Sequence, residues 1–166
     1  GELHSVYGLR TVTVPVHRPS KRVVLQERIY RTLALKQQAL VERVAELYAS
    51  SRPVLIGTSS VAESVDVAAW LKLAGLPHRV LNASQDKHEA EIIAKAGQQG
   101  AITVATNMAG RGTDIALGLG VSELGGLHVI SLNSNDSRRI DRQLYGRCAR
   151  QGDPGSTEAI LSLQDP

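Results

Sequence analysis

Short apolar runs alternate with segments of helical spacing along most of this chain, and that order constrains the fold more than any other feature. Five runs have the length of buried strands: 53–57, 78–81, 101–105, 127–132 and 158–163. Strands that alternate with helices of ten or more residues adopt right-handed crossovers and a parallel sheet. We therefore predict an α/β fold in which the last run, 158–163, closes the sheet. In such sheets ligands bind at the carboxyl ends of the strands, where the loops after Gly57, Ala105 and Leu132 would meet.

Helix start and stop signals lie between these runs. Ser60 and Glu63 form a capping box, and Gly75 is placed to end the helix that they open. A second helix is predicted from 86 to about 96, and a third over 137–152, begun by a serine and ended by a glycine.

The first fifty residues are predicted separately. Residues 11–16 alternate like an edge or linking strand, because Pro15 argues against a central position. A basic connector, 17–22, follows. Apolar positions at helical spacing from about Leu25 to Ala49 predict one long helix or two. We expect residues 1–24 to link to a preceding domain and 25–166 to form the main domain.

Composition sets only broad limits. A chain of 166 residues with 42% hydrophobic and 21% charged residues suits one globular domain with an aliphatic core, since Phe is lacking. A net charge of +3 permits contact with phosphates, nucleic acid or an anionic membrane but requires none of them. The single cysteine, Cys148, excludes an internal disulfide and favours a reduced compartment. The sequence shows no membrane-spanning run or signal peptide, and its abrupt ends suggest a soluble domain cut from a longer protein.

Two arginines near the end of the chain suggest an oxyanion site. On a helix, Gln143, Arg147 and Arg150 fall within about 60° of one another, while an apolar row occupies another face. Guanidinium groups are always charged and match phosphate geometrically, so a phosphate is the expected target. The alternative is an amphipathic helix whose arginines are solvated or paired with carboxylates such as Asp141. The spacing Gln-x-x-Gly-Arg-x-x-Arg, which includes Gly146, resembles the last signature motif of superfamily-2 helicases and translocases.

A polar, glycine-rich loop follows the third run. Gly110 and Gly112 allow close approach of a ligand, Arg111 adds a charge, and Asp114, after Thr113, can accept hydrogen bonds or orient an arginine. The phosphate-binding sequence Gly-x-x-x-x-Gly-Lys-Ser/Thr does not occur in the chain. The domain can therefore complete a nucleotide site but is not expected to form one alone.

Several stretches together resemble the SecA family, the ATPases that drive preproteins through the bacterial Sec channel. These stretches are 57–61, 81–83, 89–94, 105–115, 125–128 and 137–153, with Thr-Asn-Met-Ala-Gly-Arg-Gly-Thr-Asp the most specific string. The resemblance covers nearly the whole chain and implies the family's second nucleotide-binding domain, a three-layer RecA-like domain of the helicase C-terminal type.

The resemblance also implies roles for individual residues. Arg147 and Arg150 would be arginine fingers on the γ-phosphate, and the loop 110–114 would couple nucleotide state to domain closure. Gln143 would orient the arginine motif, of which Gly146 is a part, and Asp153 would lie near the ribose. The reading Gly-Arg-Cys-Ala-Arg at 146–150 departs from the usual Gly-Arg-Ser-Gly-Arg and leaves open a housekeeping or a divergent translocase.

The cofactor and partners follow from the same resemblance. ATP with Mg²⁺ would bind to a first domain of the parent protein that carries the phosphate-binding loop and the Mg²⁺ ligands. The implied partners are that domain, the Sec channel and an unfolded preprotein, and the resemblance allows an anionic lipid surface and a homodimer. The parent would be a cytoplasmic ATPase associated peripherally with the inner face of the plasma membrane, and this fragment would be inactive alone.

Two other functions stay open from the sequence. A nucleic-acid helicase could use the same domain, but its strand-binding track should show basic residues interleaved with aromatics, which this chain lacks, so nucleic acid is not an expected partner. The second open function is a non-catalytic module that binds an ATPase domain. No metal site is predicted, because His17, His78 and His88 are scattered. His128, within a strand, and Trp70 are expected to serve packing or structural hydrogen bonding.

Overall fold

The structure is a computed structural model, and it describes residues 11–13, 22–25, 27–81, 86–106, 115–132 and 154–165. The described elements are β1 (Thr11–Thr13), β2 (Arg22–Leu25), β3 (Arg28–Tyr30), α1 (Leu33–Ala49), β4 (Val54–Thr58), α2 (Val61–Leu73), β5 (Arg79–Leu81), α3 (Asp86–Lys95), β6 (Ile102–Thr106), a 3-10 turn (Ser122–Leu124), β7 (Leu127–Ser131) and β8 (Gly155–Ser162). The α/β order, the five predicted strands and the helices after 60 and 86 are confirmed.

All eight described strands belong to one sheet in the order β1-β2-β8-β7-β4-β6-β5, with β3 also paired to β8. Every pairing is parallel except that of β1 with β2. The predicted edge position of 11–16 is confirmed for Thr11–Thr13, which lie at one end of the sheet. The predicted third helix, 137–152, lies outside the described residues.

Helices cover both faces of the sheet, as a three-layer domain requires. Alternate residues of β4 point to opposite sides: Val54 and Ile56 pack with α1 and α2, whereas Leu55 packs with Ile93 of α3. Because both faces are covered, β4, β6, β7 and β8 are buried at every position.

Two predictions about the sheet and the first helix are wrong. Residues 25–32 do not begin a long helix, because 22–30 instead extends along β8 in two pieces, β2 and β3. Its β-branched and aromatic residues suit a strand, and Thr32 then caps α1 by accepting a hydrogen bond from the Leu35 amide at 3.2 Å. Arg22 accordingly belongs to a strand and not to the predicted connector. Strand β8 consequently lies inside the sheet, between β2 and β7, and does not close it.

The signals around α2 are confirmed. Ser60 accepts a hydrogen bond from the Glu63 amide at 3.1 Å, and the Glu63 carboxylate accepts one from the Ser59 amide at 2.9 Å. The Glu63 carboxylate of the capping box therefore binds the amide of the residue before the N-cap, Ser59, and not that of Ser60 itself. Gly75, with φ +74°, follows the last turn, as a left-handed terminating residue should.

Candidate functional site

The carboxyl edge of three neighbouring strands forms the base of the candidate site. Gly57 of β4 lies opposite Ala105 of β6 on one side and Ser131 of β7 on the other, so the three parallel strands end at the same level. Both predicted motif segments follow these strands in the sequence, 107–114 after β6 and 133–153 after β7. The predicted convergence of the loops is thus supported at the points where they begin.

None of the ten predicted site residues lies within the described part of the chain. They are Gly110, Arg111, Gly112, Thr113, Asp114, Gln143, Gly146, Arg147, Arg150 and Asp153. Their roles remain predictions, and the same holds for Cys148. The described residues fix only the strand ends from which their segments depart.

Hydroxyl groups line this edge. Thr58 and Thr106 are paired across β4 and β6, and both are buried. The Thr58 hydroxyl donates to the Ala105 carbonyl at 3.3 Å, whereas the Thr106 hydroxyl is buried without a hydrogen-bond partner among the described residues. Because a buried unsatisfied hydroxyl costs about 1–3 kcal/mol, a polar group arriving at this edge would be stabilised there.

A buried lysine joins the edge to helix α1. Lys36 is only 2% exposed, and its Nζ donates to the Leu132 carbonyl and to Asp165 Oδ1, both at 2.7 Å. Asp165 Oδ2 in turn accepts from the Ser162 amide at 2.8 Å. Neither residue of this pair belongs to a motif in the sequence. Its one signal was a lysine four residues before Leu40, on the apolar row of the helix.

A second polar cluster lies towards the amino ends of the strands. Glu158 of β8 accepts from Arg28 at 2.8 Å on Oε1 and from Arg43 at 3.0 Å on Oε2. His128, fully buried on β7, contacts the same Oε2 through Nε2 at 2.9 Å and the Ser156 hydroxyl through Nδ1 at 2.5 Å. The expected structural hydrogen bonding of His128 is therefore confirmed.

The hydrogen bonds assign one proton arrangement to this cluster. Arg52 donates to the Ser156 hydroxyl at 2.6 Å and to the carbonyls of Gly125 and Gly126 at 2.9 Å each. Ser156 can then donate to Nδ1 of His128, and Nε2–H of the same ring can donate to Glu158. In this arrangement each of these contacts has one donor and one acceptor with the imidazole neutral.

Charge and burial explain the ionisation of the cluster. Burial would raise the pKa of Glu158, but hydrogen bonding and charge from His128, Arg43 and Arg28 outweigh it and lower that pKa to about 2. Burial lowers the pKa of His128, with Arg52 and Arg43 acting in the same direction, against the hydrogen bond that the ring donates to Glu158 and the negative charge of that carboxylate. We conclude that a neutral His128 faces an ionised Glu158 at neutral pH. Arg28 and Arg43 therefore supply the permanent positive charge opposite this carboxylate.

The remaining candidates are mainly structural. Trp70 is partly buried against the core between α1 and α2, as predicted. Among the described residues, no three His, Cys, Asp or Glu side chains cluster closely enough to hold a metal ion. In the same part of the chain, no helix combines the length and apolarity needed to cross a membrane.

The sheet order and the helices on both faces define the class of protein: a RecA-like α/β domain. Two solved structures share it. The Escherichia coli DEAD-box protein SrmB, bound to the regulator of ribonuclease activity A, superposes with a TM-score of 0.61 at 21% identity, over 82% of this chain and 76% of the other. Domain 2 of the Mss116p DEAD-box helicase, bound to an RNA duplex, gives 0.59 at 18% identity, over 82% and 54%. At such identities the likeness concerns the fold alone.

Sequence comparison identifies the family. The SecA P-loop domain matches residues 19–123 and 119–166, so this chain belongs to the SecA P-loop domain family. The protein translocase subunit SecA of Nitratidesulfovibrio vulgaris (strain DSM 19637 / Miyazaki F) is 52% identical over 99% of the chain. Protein translocase subunit SecA 2 of Bordetella avium is 56% identical over the same share. The chain spans 19% and 25% of the lengths of these two relatives.

Proposed function

We propose that this chain is the second motor domain of an ATP-driven protein translocase. In the proposal it closes over ATP held by a first domain that carries the phosphate-binding loop. The observation that carries it is the shared carboxyl edge of β4, β6 and β7, from which 107–114 and 133–153 both depart. Membership of the SecA family and the 52–56% identity to translocase subunits support the same assignment.

The arginine pair supplies the chemistry in this proposal. Arg147 and Arg150 reach across the cleft to the γ-phosphate and stabilise the charge that develops during hydrolysis. Gln143 orients the pair, Gly146 belongs to the same motif, and Asp153 lies near the ribose. ATP with Mg²⁺ is the proposed cofactor, and its phosphate and metal ligands come from the first domain.

The loop 110–114 couples this chemistry to domain movement. Its glycines allow the backbone to approach the nucleotide, while Arg111 and Asp114 can exchange partners as the cleft closes, with Thr113 between them. We further propose that residues 1–24 connect to the preceding domain while contributing β1 and most of β2 to the sheet, and that 25–166 form the rest of the second motor domain.

The parent protein acts, in this proposal, on unfolded preproteins at the Sec channel. It would work in the bacterial cytoplasm and associate peripherally with the membrane. The fold alone would equally suit a nucleic-acid helicase, so the experiment must separate the two. We expect ATP turnover by the full-length parent to rise with purified Sec channel in lipid plus an unfolded preprotein, and not with single-stranded RNA or DNA. Stimulation by nucleic acid alone would replace the translocase with a helicase.

The finger assignment has its own test. Arg150→Ala in the parent should lower the rate of hydrolysis by roughly 10³-fold or more while the protein stays folded, since arginine fingers contribute about 10³ to 10⁵ in rate. Arg79→Ala is the matched control, because Arg79 is exposed at the amino end of β5, away from the carboxyl edge. Turnover of Arg150→Ala within about twofold of the control would reject the finger role, because a twofold change in rate is only a few tenths of a kcal/mol in activation free energy.

A further inference from the structure

Lys36 is unusual because it is a charged side chain on the apolar face of a helix with almost no solvent contact. It lies in the first turns of α1 and is 2% exposed. A buried ammonium is tolerated only when its charge is paired and its N–H groups have acceptors. Its two partners come from separate parts of the chain, the Leu132 carbonyl and the Asp165 carboxylate, each at 2.7 Å.

Both partners lie where strands leave the sheet at its carboxyl edge. Leu132 directly follows β7 and is the last described residue before 133–153, which holds the proposed arginine fingers. Asp165 lies three residues beyond the end of β8. One ammonium thus holds the exits of two adjacent strands together.

The exit segment 163–165 is itself held in place by the first part of α1 and by β3. The Leu163 amide donates to the Tyr30 carbonyl at 2.8 Å, and the Leu33 amide donates to Gln164 Oε1 at 2.6 Å. Asp165 accepts from the Ser162 amide through its second oxygen at 2.8 Å. With both carboxylate oxygens engaged, Asp165 is a fixed anchor for Lys36.

We propose that Lys36 is a positioning residue for the nucleotide site: it fixes the exit of β7 against the segment that follows β8, and so sets where the arginine-bearing segment begins. This inference rests on the proposed function. A shift at Leu132 would be passed on to the start of 133–153, and small errors in the placement of charged groups reduce transition-state stabilisation more than ground-state binding.

The test is steady-state ATP hydrolysis by the full-length parent carrying Lys36→Met, which keeps a long apolar side chain and removes the ammonium. We expect kcat to fall by about tenfold while KM for ATP changes by less than about threefold, because the lost interaction acts in the transition state. Asp165→Asn retains the shape of the anchor and removes its charge. It should shift kcat in the same direction and provides the answer if Lys36→Met does not fold.

Glu158→Gln is the matched control, because it also removes the charge of a buried carboxylate, the one that pairs with Arg28 and Arg43. Glu158 also lies 2.9 Å from Nε2 of His128, in the cluster towards the amino ends of the strands. Glu158→Gln should lower stability and leave kcat unchanged at a temperature where all variants are folded. An unchanged kcat in Lys36→Met or, if that does not fold, in Asp165→Asn would overturn the positioning role. Equal losses in the Lys36 variant and the control would also overturn it, since they would report stability alone.

Arg150→Ala, measured in parallel, separates the two proposals. If it retains turnover, the proposed function fails. If it abolishes turnover while Lys36→Met matches the wild type, only the positioning role fails.

Discussion

Glu158 offers the sharpest test of how burial sets the strength of an ion pair in this domain. Its side chain is 3% exposed and accepts hydrogen bonds from Arg28, Arg43 and His128. The substitution Glu158→Gln keeps the shape but removes the charge. It also places an amide NH₂ group against neighbours that are themselves donors, so at least one donor loses its acceptor.

The magnitude follows from the ionisation of the folded state. The pKa of Glu158 falls from 4.5 to about 2, and at about 1.4 kcal/mol for each pH unit this corresponds to at most about 3.5 kcal/mol of stability at neutral pH, because part of the lowering comes from the charge of His128, which is neutral there. Adding an unsatisfied donor, worth about 1–3 kcal/mol, and allowing the arginines, 22–23% exposed, to recover some solvation, we expect a loss of about 3–5 kcal/mol.

The assay is urea unfolding of the chain at pH 7, with Glu46→Gln as the matched control. Glu46 pairs with the same Arg43, at 2.6 Å, but is 67% exposed. If burial decides the strength of the pair, the control should change the free energy of unfolding by less than about 1 kcal/mol despite its shorter distance. The reasoning is refuted if the two variants lose similar amounts. The gap between wild type and Glu158→Gln should also narrow as pH falls from 4.5 towards 2, because the pKa of the carboxyl is lowered on folding.

Two further predictions concern the neighbourhood of this cluster. Gly126 has φ +79°, and a Cβ there would overlap the Pro154 carbonyl, so Gly126→Ala should lower the free energy of urea unfolding by more than about 2 kcal/mol. Gly75→Ala is the control: with φ +74° and nothing within 4 Å, it should lower that free energy only by the backbone strain of about 1 kcal/mol. Equal losses of stability in the two variants would contradict the overlap at Gly126. The pKa of His128 is lowered on folding from 6.5, so its contribution to stability is complete above about pH 6.5 and declines below it, by at most about 1.4 kcal/mol per pH unit. His128→Gln should flatten the dependence of the urea midpoint between pH 7 and 5.5, and an unchanged slope would show that His128 does not titrate as inferred.

Much of the fold could be predicted because its local and overall signals agree. The strands at 54–58, 102–106 and 127–131 are mainly apolar and are buried along their whole length, as strands covered on both faces are, and Ser60 and Gly75 mark the limits of α2. The alternation of strands and helices then leaves a parallel sheet as the natural arrangement.

The errors arose where a distant partner decides the structure. Residues 25–32 have apolar positions that suit a helix as well as a strand, and only the free edge of β8, more than a hundred residues later, favours the strand. The same long-range pairing moved β8 from the edge of the sheet to its interior. Lys36 and Asp165 were missed for the related reason that 129 residues separate them.

The polar contacts between α1, the short link that follows it and β8 provide the information on register that local sequence lacked. Lys36, Arg43 and Arg52 occur in that order along the chain, and their partners Asp165, Glu158 and Ser156 occur in the reverse order. Helix α1 therefore runs antiparallel to β8, with Lys36 at the carboxyl edge and Arg52 at the amino edge.

This reversal makes a shift of β8 costly. A slip of one residue would turn Glu158 to the opposite face of the sheet and leave Arg28, Arg43 and His128 without their shared acceptor. Neighbouring Thr157 and Ala159 are buried but offer no carboxylate in its place. An apolar strand alone would tolerate such a slip far better, because one aliphatic side chain can replace another at modest cost. The buried charges thus serve to select one alignment of β8 against β7 and α1.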